Sequence, residues 1–155
     1  MSGVRLAEQG LLYLGRWVRK RVTFMDRPRV LVADDHPLVV ERVVSLLDPN
    51  FEIVGTVRDG GMLISEALRL RPDVIVSDIT MPMLTGIEAA HAIREAGSTA
   101  RFVFLTVHRQ AAFVRACFAE GALGYVTKSH LQSDLIPAIN EALSGHRFIS
   151  PSLPS

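Results

Sequence analysis

From residue 29 onward the chain alternates short apolar runs with stretches whose apolar residues recur every three or four positions, five times in succession. The runs at 30–33, 51–57, 74–78, 101–107 and 123–126 are too short for helices and mostly lack the in–out alternation of a one-sided strand. They predict strands covered on both faces, as in a parallel sheet. The periodic stretches predict helices, each with one face toward that sheet. Those faces are Val40, Val43, Val44 and Leu47; Leu63, Ile64, Ala67 and Leu68; Gly86, Ala89, Ala90 and Ile93; Phe113, Val114, Cys117 and Phe118; and Leu135, Ala138, Ile139 and Ala142. Pro37 opens the first helix, and Pro49 with Asn50 stops it. Gly121 and Gly145 end the fourth and fifth. Ser133 is expected to cap the last helix, which puts Pro137 in its first turn, where a missing N–H costs little. Five strand–helix pairs predict an α/β fold, a doubly wound five-stranded parallel sheet of flavodoxin-like order 2-1-3-4-5.

Residues 1–28 fall outside that period. Leu11, Leu14, Val18 and Val22 recur at helical spacing, with Arg16, Arg19 and Lys20 off the stripe. A basic amphipathic helix touching a membrane or a partner is one reading. A poorly ordered extension, or residues upstream of a natural start near Met25, is the reading favoured here, so membrane contact of residues 1–24 is disfavoured but open. The tail at 148–155, with Pro151 and Pro154, reads as the start of a linker or a C-terminal tail. The expected organisation is an extension at 1–28 and one domain at 29–147, followed by that tail.

Composition narrows the class. The chain has 155 residues, enough for one domain to bury a core without staples. Its single Cys117 rules out an internal disulfide and suits a reducing cytoplasm. No apolar run approaches the roughly 18 residues of a membrane span, and a secretory leader is not expected. Net charge is +1 but uneven: residues 1–29 hold seven basic side chains against two acids, a surplus of five, leaving −4 for the remaining 126. That is a basic tail on an acidic domain and not a uniformly basic nucleic-acid binder.

Candidate chemistry lies where the predicted strands end. Asp34 and Asp35 close the first, Asp78 the third, Thr106 the fourth, and Lys128 follows the fifth. A lone aspartate after a strand ordinarily caps a turn. In order 2-1-3-4-5, however, the first and third strands are neighbours at the point where the winding reverses, and ligands bind there. Three carboxylates then converge, with a hydroxyl and an ammonium beside them. Crowded like charges favour a shared cation, and an oxygen-only donor set suits Mg²⁺ better than zinc. Thr106 could hydrogen-bond an oxyanion, Lys128 would balance charge, and His36 reads as a surface or packing residue.

Four segments in this order, VLVADDHP (30–37), DITMP (78–82) with Gly86, FLTVH (104–108) and GYVTKS (124–129), resemble the receiver domain of two-component response regulators. The resemblance covers residues 29–147. It implies that Asp78 accepts a phosphoryl group from a sensor histidine kinase, and that Asp34, Asp35, Asp78 and the Thr80 carbonyl hold Mg²⁺. It also implies that Thr106 and Lys128 bind phosphoryl oxygens and that Tyr125 reorients with Thr106. On this reading the chain is no enzyme beyond self-catalysed phosphotransfer and dephosphorylation at Asp78. DDHP, GYVTKS and SGHRFISP further resemble the subfamily with a LuxR-type helix-turn-helix output. Transcription regulation would then run through a DNA-binding domain absent from this chain, with no direct DNA contact of its own. A homodimer is allowed, and a stand-alone receiver acting by protein contacts is the alternative.

Three other readings fit less well. A flavin mononucleotide binder of this architecture needs a hydroxyl- and glycine-rich loop where Asp34-Asp35-His36-Pro37 stands. A haloacid-dehalogenase-type phosphatase expects two acids separated by one residue, and here they are adjacent. A receiver-like module that binds without phosphorylation would not need every site residue present.

Overall fold

The computed structural model describes residues 27–153; the readings made for residues 1–26 lie outside that range. The chain runs β1 (Arg29–Ala33), α1 (Pro37–Leu47), β2 (Glu52–Val57), α2 (Gly60–Leu70), β3 (Val74–Asp78), α3 (Gly86–Glu95), β4 (Arg101–Thr106), α4 (Ala111–Ala119), β5 (Gly124–Thr127), a 3-10 turn (Lys128–His130), α5 (Leu131–Leu143) and β6 (Phe148–Ile149). The sheet order is β2-β1-β3-β4-β5-β6, with every pairing parallel. The expected 2-1-3-4-5 order is present, and a sixth strand extends it. Among the described residues, no helix is long and apolar enough to cross a membrane.

Alternation along the strands builds a core on each face of the sheet. Leu31, Ala33, Ile75, Phe102, Phe104 and Tyr125 pack with α2, α3 and α4. Val30, Val32, Val74, Val76, Val103, Leu105 and Val126 pack with α1 and α5. All five residues of β3 are buried, which is why that segment carries no polar position before Ser77. The small residues Gly86, Ala89 and Ala90 are buried along α3, as expected. Cys117 is buried on the inner side of α4.

Four local expectations are corrected. The inward face of α1 is Val39, Val43, Leu46 and Leu47, with Val40 and Val44 off it, because its contact is with α5 as well as the sheet. Leu68 of α2 is exposed, and Leu70 packs inward instead. Val107 lies beyond the end of β4 and is exposed. Ser133 does not cap α5: the 3-10 turn at Lys128–His130 leads straight into a helix beginning at Leu131, so Pro137 falls inside the helix. Its ring nitrogen has no hydrogen for the Ser133 carbonyl.

The tail read as the start of a linker contains β6, which pairs Phe148 with Gly124 and Ile149 with Tyr125. Beyond it Ser150 and Leu153 are buried.

Candidate functional site

Parallel register sets the site. Ala33 pairs with Ser77, Asp78 with Leu105 and Thr106 with Thr127, so the residues closing β1, β3, β4 and β5 arrive at one edge of the sheet. The winding reverses between β1 and β3, and the crevice there is the ligand position of such folds. Asp34, Asp78 and Thr106 are all buried there, and Asp35 is partly so.

Lys128 reaches back from β5 into this crevice. Its Nζ lies 2.8 Å from Asp34 Oδ2 and 3.1 Å from Asp78 Oδ2. The contact to Asp34 is close in distance but lacks hydrogen-bond alignment, and Asp34 Oδ2 and Asp35 Oδ1 are both buried without an aligned donor. Buried carboxylate oxygens are expensive unless a cation reaches them; the ammonium reaches Asp34 Oδ2, and Asp35 Oδ1 has no such partner from Lys128. Oxygen donors from Asp34, Asp35 and Asp78, with a ring nitrogen of His36, can be chosen within 4.8 Å of one another. A divalent cation that prefers oxygen fits this set.

Asp78 carries the electrostatic strain. Burial, and then the charge of Asp34, push its carboxyl above the usual range, while Lys128 and the Thr80 N–H pull it back. The Thr80 N–H donates to Asp78 Oδ1 over a long 3.4 Å. The loop that follows is held by Gly60 N–H on the Pro82 carbonyl and by Gly86 N–H on the Ile79 carbonyl. Thr85 and Glu88 then form a reciprocal cap at the start of α3.

Two histidines in the site were not legible as site residues. His36 lies against the acids: its backbone N–H donates to Asp34 Oδ1 at 2.9 Å, and its Nδ1 is 2.9 Å from that oxygen and 3.3 Å from Asp35 Oδ1. The ring itself is mostly exposed, in keeping with the surface reading. The DDHP spacing was the available signal, since a turn directly after a strand returns residue i+2 toward residue i. His108 had no such signal. Its Nε2 is 3.1 Å from Thr80 Oγ1, its ring stacks on Phe113, and its N–H donates to Thr106 Oγ1 at 2.8 Å.

Tyr125 is fully buried on the face opposite Val126, and its hydroxyl donates to the His108 carbonyl at 3.2 Å. Burial pushes its phenol up to about 12, so it acts as a neutral donor. Thr106 and Tyr125 therefore meet at one residue, His108, through its N–H and its carbonyl. The arrangement offers a buried carboxylate nucleophile, an ammonium, a hydroxyl and a cation cradle in one crevice.

A family model for the response regulator receiver domain matches residues 30–140. The chain is 36% identical to the nitrate/nitrite response regulator protein NarP of Escherichia coli, over 79% of this chain and 58% of that one. It is 38% identical to the uncharacterized transcriptional regulatory protein YxjL of Bacillus subtilis, over 77% of this chain and 56% of that one. It thus spans well under two thirds of these curated relatives. A crystal structure of a LuxR-family two-component response regulator from Aurantimonas sp. is similar at a TM-score of 0.78 and 36% identity, covering 83% of this chain and 93% of that one.

Proposed function

We propose the following role on one premise: the chain belongs to the response regulator receiver domain family. It takes a phosphoryl group from the phosphohistidine of a sensor kinase onto Asp78 and passes the change to an output. The observation that carries this is Asp78 at the end of β3, buried beside Asp34 and held 3.1 Å from the Lys128 ammonium. An Asp78 oxygen attacks phosphorus, the O–P bond forms as the P–N bond breaks, and the imidazole leaves. Lys128 faces the phosphoryl oxygens and offsets their charge, and the Thr106 hydroxyl donates to one of them. Asp34, Asp35, Asp78 and the Thr80 carbonyl would hold Mg²⁺, which supplies further charge neutralisation when bound.

The phosphoryl group adds charge and three acceptor oxygens at the strand end. Thr106 follows it, and Tyr125 is the aromatic that responds, since both are bonded to His108. The chain acts as a signal transducer in the cytoplasm and not as a turnover enzyme. The relatives named as transcriptional or LuxR-family regulators support transcription control as the output. Self-association of two copies is compatible with that role.

Acetyl phosphate with Mg²⁺ should add one phosphoryl group to the intact mass, and chelation with EDTA should abolish the addition. Uptake that persists in EDTA would defeat the assignment of the acidic cluster. Thr106→Ala should still be labelled, more slowly, yet hydrogen exchange across residues 107–128 should no longer change with beryllofluoride. A change equal to wild type would leave Tyr125 as packing alone.

A further inference from the structure

The segment after α5 touches β5, α5, α4 and the loop between β4 and α4. The Phe148 N–H donates to the Leu123 carbonyl at 2.8 Å and the Ser150 N–H to the Tyr125 carbonyl at 2.9 Å. Ser150 Oγ accepts from the Thr127 N–H at 3.1 Å and donates at 2.7 Å to Asp134, a nearly buried carboxylate of α5. The Arg147 guanidinium sits 4.7 Å over the Phe118 ring of α4. Past β6 the N–H of the buried Leu153 donates to the Ser150 carbonyl. Arg109, in the loop between β4 and α4, donates from Nη2 to the Ser152 carbonyl at 2.6 Å.

We propose that residues 150–153 form a clasp, closed by Arg109 while Asp78 is unmodified and opened when Asp78 is phosphorylated; this rests on the receiver reading above. The trigger is the residue beside Arg109. His108 gives its N–H to Thr106 and its carbonyl to Tyr125. Drawing the Thr106 hydroxyl toward a phosphoryl group therefore either drags residue 108 or breaks its bonds. In the first case Arg109 is carried along, and in the second the loop that positions Arg109 loses both of its ties to β4 and β5. A hydrogen bond of 2.6 Å to a carbonyl is lost within an ångström of displacement. The bonds of Phe148 and Ser150 run to β5 and not to that loop, so they persist, and the part released is 151–153. Linkage makes the effect reciprocal: a chain with its clasp removed favours the phosphorylated form.

The test is amide hydrogen exchange on the whole chain with Mg²⁺, with and without beryllofluoride, loading being checked on each sample by native mass spectrometry. In the wild type, loading should speed exchange of the Leu153 amide at least tenfold and leave Phe148 and Ser150 unchanged. Arg109→Ala should show the fast Leu153 exchange before loading and no further change after it. Arg109→Lys, which keeps a donor, should restore slow exchange. A loaded wild type with unchanged Leu153 exchange overturns the clasp, as does slow exchange in unloaded Arg109→Ala. A wild type that does not load overturns the receiver reading and the clasp's trigger with it.

Discussion

Asp78→Asn should take up no phosphoryl group from acetyl phosphate and should melt at a higher temperature than the wild type in metal-free buffer. The first effect follows from chemistry: an amide oxygen is too weak a nucleophile to form the acyl phosphate. The second follows from electrostatics. Burial and Asp34 raise the folded-state ionisation of Asp78 above its ordinary value. The stability contributed by its protonated form is fully present below that ordinary value and is lost as pH rises through the raised one. At neutral pH the folded chain therefore carries a charge it would sooner shed, and asparagine removes it. The loss of the Lys128 contact offsets part of the gain, since the ammonium keeps Asp34 at 2.8 Å. A net gain of about 1 kcal/mol would show as ~2–4 °C at this chain length. The same mass measurement used for labelling and a melt in EDTA read both effects. A lower melting temperature would mean that the lysine contact outweighs the buried repulsion.

Gly86→Ala should be the most damaging single methyl in the domain. A Cβ at that position would fall on the Asp78 carbonyl oxygen, 3.0 Å from Ser77 Oγ and 3.1 Å from the Phe104 ring. All three belong to the buried ends of β3 and β4 and cannot swing aside, so strain on the order of 3 kcal/mol is expected, roughly 10 °C in Tm. Because the clash is with Asp78 itself, phosphoryl uptake should fall with it. Gly61→Ala is the control: its Cβ would meet only Asp59 Oδ1 at an ordinary 3.4 Å, within a helix that favours alanine. It should melt at or slightly above the wild type. Two similar melting curves would show that β3 and α3 separate more easily than their packing implies.

Much of this architecture is written in local pattern. Strands covered on both faces must be apolar throughout, so β1, β3 and β4 stand out as runs, and the residues closing them face one edge by the geometry of a parallel sheet. That is why Asp34, Asp78, Thr106 and Lys128 could be placed together from the sequence. What escaped was set by contacts across space. The start of α5 moved because Lys128–His130 turns into the helix without a cap, where a serine and a proline had suggested a later start. The face of α1 is rotated by packing on α5, a neighbour ninety residues away in the chain. β6 is two residues long, too short for any period to register. The His108 ring meets Thr80, its backbone joins Thr106 to Tyr125, and the Arg109 guanidinium reaches Ser152; no spacing rule encodes these contacts.

Cys117 gives the chain a built-in stopwatch. Its thiol is fully buried under α4, and burial holds its ionisation up at about 12. An alkylating reagent needs both access and thiolate, and the closed fold offers neither. Each alkylation event therefore waits for α4 to lift away from β5, and the rate counts those openings. Since α4 also carries Phe118, on which Arg147 rests, the pace of that one covalent reaction should respond to changes in the contact between α4 and the segment after α5.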